Sequence, residues 1–290
     1  MQIIYQVSMI CALQLRQFRL SICQNWKCKS VVSLEEDMEM QEALLNLKDL
    51  ESIYYIDMVM VIDATMDSPF INNIKFWQDL IIQTDSMISQ CMKQYGRQSR
   101  IRLKIIYFRD YYFDGKYAAG ESEAFEIPND RNQVFEFINS LRAAGGGDVP
   151  ESGLEALWLA IMHAGCEKHE LYRRIITLFT NAPAHPLEDY DKLVLVGKQH
   201  NCCAPVNYPE QIPHCLGDLY KEWETWNQDG RGWLFLVTPN VYPWRDMEIE
   251  CEHVIRVEST DYDYNSEIGY QYQNVFDTLI EGYWCAIFGS

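Results

Sequence analysis

Apolar positions in this chain fall into short continuous runs that alternate with stretches in which they recur every three or four residues. Ile56 to Ile62 (IDMVMVI) ends in Asp63 and has the make-up of a strand buried on both faces of a parallel sheet. Pro69 can open a helix, and Phe70, Ile74, Trp77, Leu80, Ile81 and Met87 then keep one apolar face to about Tyr95. Arg100 to Tyr112 reads as a second strand and Ala124 to Ile127 as a short edge strand. A helix is predicted over Arg131 to Ala144, stopped by Gly145-Gly146-Gly147, and a buried helix over Ser152 to Ala164. Further strands follow at Arg174 to Thr180, Gly232 to Val237 and His253 to Val257, and a closing helix from about Ser266 to Phe288.

Strands alternating with helices predict an α/β fold. Its form is a doubly wound, Rossmann-like, mostly parallel sheet with one antiparallel edge strand and helices on both faces. Ligands of such sheets bind beyond the carboxyl ends of the strands. Ahead of this pattern, Ser33-Leu34-Glu35-Glu36 has capping-box spacing, and Met38, Ala43, Leu44 and Leu47 continue at helical intervals. Residues 1–50 are therefore read as an N-terminal extension with a lead-in helix, and residues 51–290 as the main domain. Apolar patches in the first thirty residues are broken by Gln and Arg before they reach export-signal or membrane-span length.

Bulk charge narrows the partners. A net charge of −18 over 290 residues disfavours nucleic acid and anionic membrane surfaces, which need basic patches to displace counterions, and suits cationic partners or a bound metal. The ten cysteines show no repeated CxxC, and no Asn-x-Ser/Thr acceptor occurs, so the expectation is reduced thiols in a cytoplasmic protein.

Chemistry concentrates where strands end. Asp63-Ala64-Thr65-Met66-Asp67-Ser68 offers carboxylates and hydroxyls from one tight loop, donors that suit a hard cation such as Mg²⁺. Gly147-Asp148, within Gly145-Gly146-Gly147-Asp148-Val149-Pro150-Glu151, brings a further carboxylate. Thr180-Asn181-Ala182-Pro183-Ala184-His185 adds an amide oxygen and an imidazole. If Asp63, Asp67 and Asp148 lie roughly 4 Å apart, each pair repels by about 4 kcal/mol at an effective dielectric near 20, a penalty that a cation removes.

These three segments, together with Tyr107-Phe108-Arg109-Asp110, resemble the von Willebrand factor type A domains over about Asp57 to Phe288, in the branch written DATGSM, YRD, GGGDxPE and TDAPPH. The resemblance implies a metal-ion-dependent adhesion site: Mg²⁺, with Mn²⁺ as a substitute, held by Asp63, Thr65, Asp67, Ser68, Asp148 and Asn181. Arg109, Asp110, Glu151 and His185 would surround those ligands. Its implied use is adhesion, in which a partner protein's acidic residue completes the coordination, and the implied setting is a kinase-linked signalling or defence assembly. Two positions depart from the family: Asp67 stands where it has Ser, and Asn181 where it usually has Asp. A carboxylate has thus moved from one loop to another.

Other readings weigh against this one. A metal-free scaffold would use Asp63 and Thr65 to cap the following helix. A metal-dependent phosphohydrolase would use Asp63 as nucleophile, but no DxD loop or placed Lys accompanies it. His200, Cys202, Cys203, His214 and Cys215 are zinc-ligand types without zinc-finger spacing, and are read as buried thiols and solvent-facing imidazoles. Arg109-Asp110 is read as a partly buried ion pair, Glu151 as favouring a helix N-terminus, and His185 as structural, since no Ser or Cys nucleophile is placed beside it. The aromatics Tyr107 to Phe113 and Tyr262 to Tyr272 suit either core packing or a partner surface.

Overall fold

The computed structural model describes residues 53–94, 96–164, 171–187, 208–209, 211–259 and 268–288. The expected N-terminal extension and lead-in helix lie outside the described residues, as do His200, Cys202, Cys203, Tyr262 and Tyr264.

Seven strands are described: β1 (Ile53–Asp63), β2 (Gln98–Phe108), β3 (Ala119–Glu121), β4 (Phe125–Ile127), β5 (Tyr172–Phe179), β6 (Gly232–Thr238) and β7 (Val254–Glu258). The helices are α1 (Ile74–Gln94), α2 (Arg131–Ser140), α3 (Gly153–His163), α4 (Leu216–Trp226), α5 (Trp244–Glu250) and α6 (Ile268–Phe288). The sheet runs β3-β2-β1-β5-β6-β7, with β4 also on β2. All pairings from β2 to β7 are parallel, and β3 and β4 run antiparallel to β2. The expected doubly wound α/β fold is therefore present.

The antiparallel edge is one line of chain in two pieces. Glu121 pairs with Ile106 and Phe125 with Leu103, so Ser122, Glu123 and Ala124 face only Lys104 and Ile105. Ser122 fills the bulge: its N–H donates to the Ile105 carbonyl at 2.8 Å, and its Oγ accepts from the Ile105 N–H at 3.0 Å. Such a bulge twists an edge strand and blunts it against pairing with other chains.

Strand side chains alternate between two apolar layers, as the period of two requires. Met58, Met60, Ile62, Phe179, Phe235 and Val237 pack with Trp77 and Leu80 of α1, Val134 and Ile138 of α2, and Leu279 and Tyr283 of α6. Val59, Val61, Ile176, Leu178, Leu234 and Leu236 pack with Leu157 of α3, Trp223 of α4 and Trp244 of α5. Burying one such large side chain is worth roughly 1.5–3 kcal/mol, so the two layers dominate the stability. Phe108 belongs to the second layer, while Tyr111 and Tyr112 are buried in a small separate cluster with Ala118. No described helix is long and apolar enough to cross a membrane.

Several boundaries depart from the apolar pattern because the backbone groups are used elsewhere. α1 begins at Ile74 rather than Pro69; the Asn73 side chain caps it by accepting the Phe76 N–H at 3.1 Å, while the Phe70 carbonyl takes the Trp77 indole N–H at 2.9 Å. β2 stops at Phe108 rather than Tyr112, since the Asp110 carboxylate accepts the Tyr112 N–H and the Asp110 carbonyl the Asp114 N–H, folding a turn. α2 stops at Ser140 rather than Ala144, and the released Ala144 N–H bonds the Ala64 carbonyl at 3.1 Å. α4 and α5 were not singled out by the pattern, although Leu216, Leu219 and Trp223 carry α4's buried face at helical spacing.

Candidate functional site

β1 lies between β2, reached by α1 on one face, and β5, approached from α3 on the other. The connections diverge there, which opens a crevice at the carboxyl ends of β1 and β5. The loops after β1 and β5 and the Gly145–Glu151 segment meet at that crevice. Glu151 and Ala184 form an isolated parallel bridge, with the Glu151 N–H on the Pro183 carbonyl and the His185 N–H on the Glu151 carbonyl, both at 3.0 Å. Trp244 braces the same loop, its indole N–H donating to the Ala182 carbonyl at 2.9 Å.

Asp63 is the centre of the first loop and is wholly buried. Its Oδ1 accepts from the Thr65 N–H at 2.9 Å and the Thr65 hydroxyl at 2.6 Å, and its Oδ2 from the Thr180 hydroxyl at 2.7 Å. Ser68, also buried, donates its hydroxyl to the Asp63 carbonyl at 2.6 Å. Burial raises the Asp63 pKa against the lowering by these hydrogen bonds, and Asp67 adds to the rise. Asp63 and Thr65 therefore close a local turn and do not cap α1, which starts eleven residues later at Ile74. With no exposed oxygen, Asp63 is also poorly placed to attack a phosphate ester.

Asp67 is exposed, and Asn181 approaches it from the far loop, its amide nitrogen 3.5 Å from the Asp67 carbonyl oxygen. Thus Asp63, Thr65, Asp67, Ser68 and Asn181 do come together. Asp148 does not join Asp63 and Asp67 as a mutually close set: among the described residues, the acidic or imidazole groups that converge within 4.8 Å are Asp110, Asp148 and His185.

Arg109 makes no ion pair with Asp110. Its guanidinium donates to the carbonyls of Ala64 (3.2 Å), Tyr117 (2.9 Å) and Arg142 (2.9 Å), clamping the first loop to the segments after β2 and α2. A planar fork of donors suits that task. Asp110 turns instead toward His185, whose Nε2 lies 3.7 Å from Asp110 Oδ1 and 3.2 Å from Asp148 Oδ1.

Glu151 lies next to Ser152, the N-cap of α3, but its carboxyl is directed into the acidic crevice. Burial, and then the carboxylates of Asp63, Asp110, Asp114 and Asp148, push its pKa up to about 10. It is therefore protonated at neutral pH and contributes no charge to the helix terminus. Its Oε2 is buried without a hydrogen-bond partner. Gly146 faces it with φ +73°, and a Cβ there would lie 2.9 Å from Glu151 Oε1 and 3.3 Å from Thr65 Cβ. Gly145 has φ +75°, and a side chain would run into the Asp114 carboxylate that accepts the Gly146 N–H at 2.9 Å.

Glu155 was missed by sequence reasoning. It is 2% exposed in the first turn of α3, holds the Tyr208 hydroxyl at 3.2 Å, and is raised to about 7, chiefly by burial. An acidic residue in an otherwise apolar helix (GLEALWLAIMH) was the available signal. Of the His and Cys residues read as solvent-facing imidazoles and buried thiols, the described His214 is exposed as expected, whereas Cys215 is only half-buried, its free thiol donating to Asp218 Oδ2 at 3.2 Å.

No protein-family model matches the chain, and no curated protein matches it.

Proposed function

We propose that this domain is a protein-binding module of the von Willebrand factor type A kind, which takes up Mg²⁺ or Mn²⁺ at the crevice and uses it to hold an acidic residue of a partner. The observation that carries this reading is the buried Glu151 carboxyl, left with an unpartnered oxygen beside the buried Asp63. Ionising Glu151 near the buried Asp63 is costly unless a positive charge accompanies them, which is why Glu151 holds its proton in the metal-free domain. Gly146, whose missing side chain lets the backbone lie against Glu151 and Thr65, and the oxygens of the first loop suit such an ion.

Thr65, Asp67, Ser68 and Asn181 would hold the cation, with Asp63 ordering the loop from beneath. Asp148 is left out of this set because its carboxylate faces His185. The cation would supply local positive charge to a domain of net charge −18, which would otherwise repel an acidic partner. A metal-free scaffold is the second reading, favoured by the hydrogen bonds that already occupy both Asp63 oxygens.

The test is thermal unfolding in EDTA and in Mg²⁺ or Mn²⁺, for wild type, Asp63→Ala, Asp67→Ala and Asn181→Ala. A cation at 100 times its dissociation constant adds about 2.7 kcal/mol, or roughly 5–10 °C for a domain of this size. A rise in wild type that is cut in Asp67→Ala and Asn181→Ala supports the module. No rise in any protein leaves the scaffold reading. Asp67 and Asn181 lie toward the surface, so these variants remain informative if Asp63→Ala does not fold.

A further inference from the structure

Asp110, Asp148 and His185 come from three segments, and their ligand atoms lie within 4.8 Å of one another. His185 is 6% exposed, and its Nε2 has no aligned hydrogen bond although two carboxylate oxygens lie 3.2 and 3.7 Å away. Asp110 is wholly buried, and its Oδ2 has no partner either. Buried polar atoms left without a partner are destabilising unless something absent from the chain satisfies them.

The 3.2 Å between His185 Nε2 and Asp148 Oδ1 matches the spacing of neighbouring donors in a metal's coordination shell. Bonds of about 2.0–2.1 Å to nitrogen and oxygen in a tetrahedral arrangement put neighbouring ligand atoms about 3.3 Å apart. The donors are also held in place from behind. Tyr112 donates its N–H to Asp110 Oδ1 at 2.7 Å, which leaves Oδ2 free to ligate, and its ring stacks on His185 at 4.0 Å between centroids. The Glu151 carbonyl fixes the His185 backbone at 3.0 Å. Supporting contacts of this kind orient a ligating imidazole.

We propose that Asp110, Asp148 and His185 form a second cation site, for a divalent ion of the Zn²⁺ or Mn²⁺ kind. One nitrogen and two carboxylates select such ions over Mg²⁺, which prefers oxygen alone. The Asp148 side chain is 47% exposed, so the site opens to solvent on that side and keeps a coordination position for water or a ligand. The two sites differ in donor chemistry, and either can exist without the other.

Mn²⁺ is the probe, added to the full chain and read by pulsed electron paramagnetic resonance for coupling to ¹⁴N. Wild type is expected to show that coupling. His185→Ala and His185→Phe are expected to lose it, the Phe variant keeping an aromatic ring against Tyr112 so that the fold survives. Asp110→Asn should weaken the nitrogen-bearing Mn²⁺ at least tenfold, whereas Asp67→Ala should leave its coupling unchanged even if the Mg²⁺ response disappears. Bound Mn²⁺ without ¹⁴N coupling in wild type overturns the proposal, as does coupling that persists in both folded His185 variants. An ordinary ion pair among the three side chains would leave Mn²⁺ unbound, or bound without ¹⁴N coupling, and either result overturns the proposal.

Discussion

Asp63 Oδ2 accepts the Thr180 hydroxyl hydrogen at 2.7 Å, tying the carboxyl end of β1 to that of β5 where the sheet's connections diverge. Both residues are buried, and the Thr180 oxygen in turn accepts the Ala182 N–H at 3.0 Å. One hydroxyl thus orders the first loop and the third.

Removing that hydroxyl tests its weight. Thr180→Val keeps the shape and leaves a buried carboxylate oxygen and an amide unsatisfied, which should cost about 2–4 kcal/mol. Thr180→Ser retains the oxygen and should cost about 1 kcal/mol or less. Urea unfolding midpoints distinguish the two, and equal losses would show that the hydrogen bond is unimportant.

Glu151 gives the metal-free domain a pH dependence of defined sign. Its carboxyl ionises near 4.5 in the unfolded chain and near 10 in the folded one. Between these values the folded protein holds a proton that the unfolded chain has released, so this group's contribution to stability falls as pH rises. Glu151→Gln should remove that dependence and, in EDTA at pH 8, raise stability by about 2 kcal/mol or more. Parallel pH profiles of the two unfolding free energies would disprove it.

Cation uptake should run the other way. A cation held in the first loop would favour the ionised forms of the nearby Glu151 and Asp63 carboxyls, so its binding would release protons and tighten with pH. Mg²⁺ or Mn²⁺ added to unbuffered protein near pH 7 should acidify the solution, and Glu151→Gln should release fewer protons. Calorimetric titration in buffers of different ionisation enthalpy gives the number directly.

Arg109 is the clamp on which the first loop depends. Lysine cannot reach the three carbonyls from one planar group, so Arg109→Lys should lose about 1–3 kcal/mol and weaken any cation response along with it. Denaturant unfolding with and without Mn²⁺ reads both effects.

Gly145 tests the backbone path. Gly145→Ala forces a side chain into left-handed geometry and against Asp114, and should cost about 2 kcal/mol or more. A thermal midpoint within a degree of wild type would show that the turn relaxes.

Most of the fold was legible in the sequence. Strands such as Ile56 to Ile62 and helices such as the one over Trp77 to Met87 announce themselves through apolar period, because burial on one face or two is a local requirement. Element ends were less legible. β2 stops early because Asp110 folds a local turn that apolar period does not reveal, and α2 because Ala64 and Arg109, distant in sequence, claim the backbone groups that would have continued it.

The same division holds for the site. The chain order of Asp63, Thr65, Asp67, Asn181 and the glycine run marks which loops carry oxygen donors, since donor type belongs to each residue alone. Whether two donors meet depends on how strands twist and loops close. Only the tertiary structure turned Asp148 and Asp110 toward His185, spread Arg109 over three carbonyls, and buried Glu151 among carboxylates until it holds its proton. These outcomes arise from through-space charge and desolvation, which have no sequence period to reveal them.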